Sequence, residues 1–105
     1  MANPARGEIT FEAQGKTWTL VYTVNAICDL EEQTGQSIAE LGAMLSGAKP
    51  MTGMRALFWG GLRKHHPEVT LEGAGDLVQD IGSKEAVRLF SEALNTEADD
   101  PANPR

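Results

Sequence analysis

Two segments near the N-terminus alternate apolar and polar positions. In "EITFEA" Ile9, Phe11 and Ala13 share one face and Glu8, Thr10 and Glu12 the other, and in "TWTLVY" Trp18, Leu20 and Tyr22 alternate against Thr17, Thr19 and Val21. A period of two marks strands with one buried face. Between them lies "QGK", where Gly15 supplies the positive φ of a tight turn, so residues 8–22 read as a β-hairpin. Such a hairpin is marginal alone in water. Its apolar face must therefore lie on helices or pair with another chain.

From residue 23 the period changes. Thr23 is a good N-cap for a helix over Val24–Thr34 that turns Ile27, Cys28 and Leu30 inward, and Gly35 stands where a left-handed C′ residue belongs. "SIAE" then reads as a capping box of Ser37 with Glu40, opening a helix with Ile38, Leu41, Met44 and Leu45 on one face and a stop near Gly47. After the loop "GAKPM", Thr52 is the expected cap of a third helix over 53–65, with Met54, Leu57, Phe58 and Leu62 as its stripe. Gly60 and Gly61 sit inside that helix at about 1 kcal/mol each relative to Ala, which points to a close approach or a weak point. Thr70 caps a fourth helix over Leu71–Ile81 that Gly82 stops. Ser83 caps a fifth, with Ala86, Val87, Phe90 and Leu94 at helical spacing. The last stretch, "EADDPANPR", is polar and carries two prolines, as a disordered tail does.

The expected fold class is thus α+β and helix-dominated: an N-terminal two-stranded hairpin packed on about five short helices. The boundaries are a flexible arm over 1–7, one globular domain over 8–96 (hairpin 8–22, helices 23–96) and an acidic tail over 97–105. A chain of 105 residues suits one domain and one core.

Charge removes some functions. The net charge of −6 disfavours polyphosphate and anionic membrane surfaces, so neither nucleic acid nor membrane is an expected partner. No apolar run approaches the roughly 20 residues of a membrane span, and "MANPARGEITF" has no apolar h-region. Cys28, the single cysteine, fits a reducing compartment and reads as a small core residue.

Candidate chemistry is sparse. His65 and His66 are adjacent on the chain and lack the further ligands of a zinc site, so they read as a basic helix end. Arg55, Arg63, Lys64 and the two histidines form the basic cluster, expected to balance the chain's own acids and a helix dipole. Asp29, Glu31, Glu32 and Glu40 read as solvated carboxylates, and "GAGD" at 73–76 lacks the Lys-Ser/Thr of a phosphate loop. No enzyme activity, metal or cofactor is expected. What remains is a concentration of soft apolar residues: Met51, Met54, Phe58, Trp59 and Leu62 are the expected partner-binding face, with the hairpin edge at Phe11 and Trp18 as a second one.

The order of these pieces resembles the tail assembly chaperones of gene transfer agents and siphophages, small proteins encoded between the major tail protein and the tape measure protein. The resemblance rests on Asn3, Pro4, Arg6, Gly7 and Glu8 before the hairpin. It continues with Thr23, Ala26, Leu30 and Glu31, with Gly35, Ser37 and Ile38, and with "LFWGGLRKHHPEVTLEGAGDLVQDIG", covering about residues 3 to 95. It implies a chaperone in the cytoplasm of a bacterial host carrying a bacteriophage, prophage or gene transfer agent. Such a protein binds and solubilises the tape measure protein, helps recruit tail tube subunits during virion assembly, and is absent from the finished particle. Its partners are then the tape measure protein and the major tail tube protein, with self-association or a companion chaperone as further possibilities. Two other readings stand beside it: a tail tube-related structural subunit, expected to be a β-sandwich, and a small acidic adaptor or regulator binding a host protein.

Overall fold

Gln14 and Gly15 take φ values of 54° and 75°, two successive positive-φ residues of the kind that suit a tightly twisted two-residue hairpin loop. They join β1 (Ile9–Ala13) to β2 (Lys16–Leu20) in an antiparallel pair, with Ile9 opposite Leu20, Phe11 opposite Trp18 and Ala13 opposite Lys16. The computed structural model describes residues 7–98, and side chains as far as Leu94. The expected N-terminal arm up to residue 6 and the tail from residue 99 lie outside the described residues. Gly7, assigned to the arm, is buried.

Five helices follow: α1 (Val24–Thr34), α2 (Ile38–Met44), α3 (Pro50–Leu62), α4 (Leu71–Ile81) and α5 (Ser83–Ala98). The fold is therefore the expected α+β class, dominated by helix. Three helix starts lie where local chemistry puts them. The Thr23 hydroxyl accepts the Ala26 amide at 3.0 Å and the Thr70 hydroxyl accepts the Gly73 amide at 2.9 Å. Ser37 and Glu40 close a full capping box at 3.0 and 2.8 Å. Gly35, at φ 73°, ends α1 by donating to the Glu31 carbonyl at 2.7 Å.

The other two helix starts differ from expectation. α3 begins at Pro50, three residues early, because a proline at N1 needs no donor and arrives with a helical φ; Thr52 therefore lies within the first turn. α5 includes Ser83, since the Gly82 carbonyl accepts the Ala86 amide at 3.0 Å and the chain passes from α4 to α5 through Gly82 alone. α5 runs on to Ala98, two residues into the expected tail.

α3 is the axis of the fold. It packs against α1, α2, α4, α5 and β2, and reaches β1 through the Phe11–Phe58 ring contact at 5.6 Å. Its residues from Gly53 to Leu62 are buried except Arg55. A helix apolar on every side is a central helix, and Ala56–Leu62 is an unbroken run with no polar side chain.

Three burial expectations are corrected. Cys28 is exposed: α1 buries Ala26 and Leu30, and Cys28, two residues from each, falls on the opposite side. In α5 the inward set is Ala86, Leu89, Phe90 and Ala93, which turns Val87 outward at 40 % exposure. Val21, expected on the polar face, is buried because the chain leaves the ladder after Leu20 and crosses α3, where the Val21 amide donates to the Gly61 carbonyl at 2.9 Å.

Gly60 and Gly61 of α3 explain that crossing. A Cβ on Gly60 would run into the Leu30 side chain of α1. One on Gly61 would lie 2.7 Å from Leu20 Cδ2 and 3.0 Å from the Tyr22 ring. All three neighbours are fully buried and have little room to give. Replacing either glycine by alanine should therefore destabilise the protein by about 1–3 kcal/mol through overpacking, although alanine is the better helix former by about 1 kcal/mol. Urea unfolding of Gly60→Ala and Gly61→Ala measures the sign; a gain in stability at both would show that the packing is looser than these distances require.

Candidate partner-binding surface

The expected binding face divides into one exposed residue and four core residues. Met51 is 51 % exposed, whereas Met54, Phe58 and Leu62 are fully buried and Trp59 is 9 % exposed. The expectation that this cluster faces outward is overturned. The Ala56–Leu62 run needs cover all round, and α1, α2, α4 and α5 provide it. The signal that separates the two cases is that run itself, which an amphipathic stripe would have interrupted with polar residues.

Phe11 and Trp18 also point inward, at 8 % and 6 % exposure. Trp18 is held from several sides. Its indole N–H donates to the Ala13 carbonyl at 2.9 Å, the His66 ring lies 4.9 Å away and the Lys16 ammonium sits 4.6 Å from its centroid. The hairpin edge as a backbone feature is a separate matter from these two side chains.

Around Met51 lies a groove of about 480 Å³, between the start of α3, α4 and the start of α5. Met51 and Val78 supply apolar wall, and Thr52, Arg55, Gln79 and Ser83 supply polar rim. Gly75 lets the Arg55 stem lie close: a Cβ there would be 3.2 Å from Arg55 Cδ. Among the described residues no acid pairs with Arg55. An apolar floor with one uncommitted guanidinium at its rim suits the apolar face of a helix flanked by an acid.

Arg63 and the two histidines of the basic cluster are committed within the chain. Arg63 contacts Asp29 at 3.3 Å, donates to the Pro67 carbonyl at 2.8 Å and lies over the Trp59 ring at 4.8 Å. His65 Nε2 sits 2.8 Å from Glu8. His66 Nε2 accepts the Thr19 amide at 3.1 Å, so an imidazole stands in for a strand partner on the outer edge of β2. The two histidines thus anchor the hairpin rather than cap α3, which ends at Leu62. Tyr22 is buried with its hydroxyl donating to the Leu57 carbonyl at 2.6 Å, and burial raises its pKa far above the ordinary phenol value. Among the described residues no three His, Cys, Asp or Glu side chains stand close enough to hold a metal ion, and no helix is long and apolar enough to cross a membrane.

No family model, no curated protein and no solved structure matches the chain.

Burial lowers the His66 pKa from its ordinary value of 6.5; Glu68 opposes that shift, and His65 and Lys16 add to it. A histidine whose folded pKa is depressed binds protons better when unfolded. Its contribution is therefore intact above about pH 6.5 and is lost as the pH falls below that value. The same proton occupies the lone pair that accepts the Thr19 amide. Lowering the pH from about 7.5 to about 5.5 should reduce the unfolding free energy, and His66→Gln, which keeps an acceptor but cannot titrate, should flatten that dependence. Equal slopes in the two proteins would remove His66 as the group responsible.

Proposed function

We propose that this protein is a tail assembly chaperone that holds the tape measure protein of a long non-contractile tail in soluble form and helps bring tail tube subunits to it. The observation that carries this reading is the groove at Met51. It joins an exposed apolar side chain to an arginine that pairs with no acid among the described residues. A long tape measure helix offers the complementary shape, an apolar stripe beside charged residues. The resemblance over residues 3 to 95 supports the same reading, and so does the hairpin, α1, Gly35 and capped α2 in the order that the resemblance implies.

In this role the protein works in the host cytoplasm and by stoichiometric contact, with no catalysis. A tail tube-related subunit reading called for a β-sandwich, and the hairpin is the only sheet among the described residues. A host-directed adaptor would use the same groove for a different helix, and a tape measure gene just downstream separates the two readings.

Co-expression with the tape measure protein supplies the binding test. Wild-type protein should co-purify with it. Met51→Glu should weaken that capture by roughly thirtyfold, the value of about 2 kcal/mol for a hot-spot residue, with the thermal midpoint unchanged because Met51 is exposed. Trp59→Ala should instead cost about 3 kcal/mol of folding stability and leave binding per folded molecule intact. Failure of the wild-type protein to co-purify would sink the chaperone reading, and undiminished binding by Met51→Glu would move the site off the groove.

A further inference from the structure

The two outer edges of the hairpin are treated differently. On β2 the Thr19 amide donates to His66 and, just beyond the strand, the Val21 amide donates to the Gly61 carbonyl. Thr19 and Val21 therefore point their amides away from β1. By the alternation of an antiparallel pair, the peptide groups that face across the hairpin belong to Ile9, Phe11 and Ala13. Those of Thr10 and Glu12 point outward along the far edge of β1. Among the described residues no backbone group meets them. β1 also holds no proline, lysine or glycine, and its register with β2 is unbroken by a bulge, so most devices that keep an edge strand from pairing are missing.

We propose that two copies of this chain pair through β1, edge to edge and antiparallel, to form a continuous four-stranded sheet. The sequence of β1 selects one register. A two-fold axis at Phe11 pairs all five residues. Thr10 of each copy then exchanges both backbone hydrogen bonds with Glu12 of the other, four bonds in all for a symmetric pair. On the exposed face the Thr10 hydroxyl can donate to the Glu12 carboxylate of the other copy. On the inner face the half-buried Ile9 meets the small Ala13. An axis at Thr10 would set Glu8 against Glu12 twice, and one at Glu12 would set that acid against itself; directly opposed like charges are unfavourable. Glu8 is in any case held by His65 at 2.8 Å. So short a strand makes a modest interface, at the weak end of specific association. Pairing at β1 needs no phage protein and does not depend on the chaperone reading.

Sedimentation equilibrium tests it with the full chain from about 10 µM to about 1 mM. The mass should rise with concentration from 11.3 kDa to twice that value. Thr10 is exposed, so its charge variants should keep the monomer fold, checked by thermal unfolding. Thr10→Glu places an acid opposite Glu12 at both ends of the pair and should weaken dimerisation by about tenfold; Thr10→Lys should strengthen it by a similar factor. Monomer at every concentration overturns the proposal. So does a dimer whose affinity ignores the charge at Thr10, since that dimer would use another face.

Discussion

Everything in this fold leans on how closely other elements approach α3. Gly60 and Gly61 remove two side chains from a helix that is otherwise apolar all round. Leu30 takes the space beside the first, and Leu20 with Tyr22 the space beside the second. Two glycines in a helix interior cost about 2 kcal/mol together in propensity. Fully burying several Leu-sized side chains returns about 1.5–3 kcal/mol for each, so packing wins. The approach also brings the Gly61 carbonyl to the Val21 amide at 2.9 Å and the Leu57 carbonyl to the Tyr22 hydroxyl at 2.6 Å. Burying Tyr22 completely is tolerable only because its hydroxyl finds that acceptor. Among the described residues no buried side-chain nitrogen or oxygen lacks a hydrogen-bond partner.

The same crossing makes the hairpin asymmetric. β2 lies over the end of α3, so carbonyls and imidazoles there come within reach of its outward amides. β1 lies on the far side, where α4 and α5 pack beneath it but do not pair with its edge. Asp80 takes the Gln14 amide at 3.1 Å, which secures the turn. The two histidines belong to this arrangement: one reaches the carboxylate of Glu8 just before β1, the other the backbone of β2. Neither caps α3, and each reaches a different part of the hairpin, which is why their adjacency in sequence said little about their use.

Local chemistry in the sequence was enough for the hairpin, for α1 and α4 and for the start of α2, because each of those boundaries is set by one or two side chains; α2 itself stops at Met44, short of the expected end near Gly47. Thr23, Gly35, Ser37 with Glu40, Thr70 and Gly82 act on their own neighbours, and no distant contact overrides them. Where burial depends on the whole fold, local reading failed. Cys28 and Val87 are apolar residues beside an inward face, and a shift of one position around a helix is enough to turn either out. The binding cluster failed for a deeper reason. Sequence spacing showed that Met54, Phe58, Trp59 and Leu62 lie together, but whether that side meets the core or the solvent depends on how many helices surround α3. The uninterrupted run Ala56–Leu62 did carry that information. Met51 survives as the exposed member because it precedes the run, in the first turn of the helix. The β1 edge was expected as a surface, but Phe11 and Trp18 were the wrong labels for it, since an edge is a property of backbone direction.

The two surfaces left open lie toward opposite ends of α3. Met51 and Arg55 belong to its first turns, and Gly60 and Gly61, which seat the hairpin, to its last. Ten residues of helix between Met51 and Gly61 span about 15 Å at 1.5 Å per residue. A helix lying in the groove and a strand lying against β1 therefore approach different parts of the molecule, and occupation of one need not displace the other. A chain paired through β1 would present two grooves fixed by symmetry. Two linked sites on one long helical ligand raise the effective concentration for the second contact, so the pair holds the ligand more tightly than either groove alone. Modest affinity at each groove then becomes useful. Under the proposed function, such a complex would hold while both sites are engaged and would come apart stepwise as an incoming partner took the ligand from one groove and then the other.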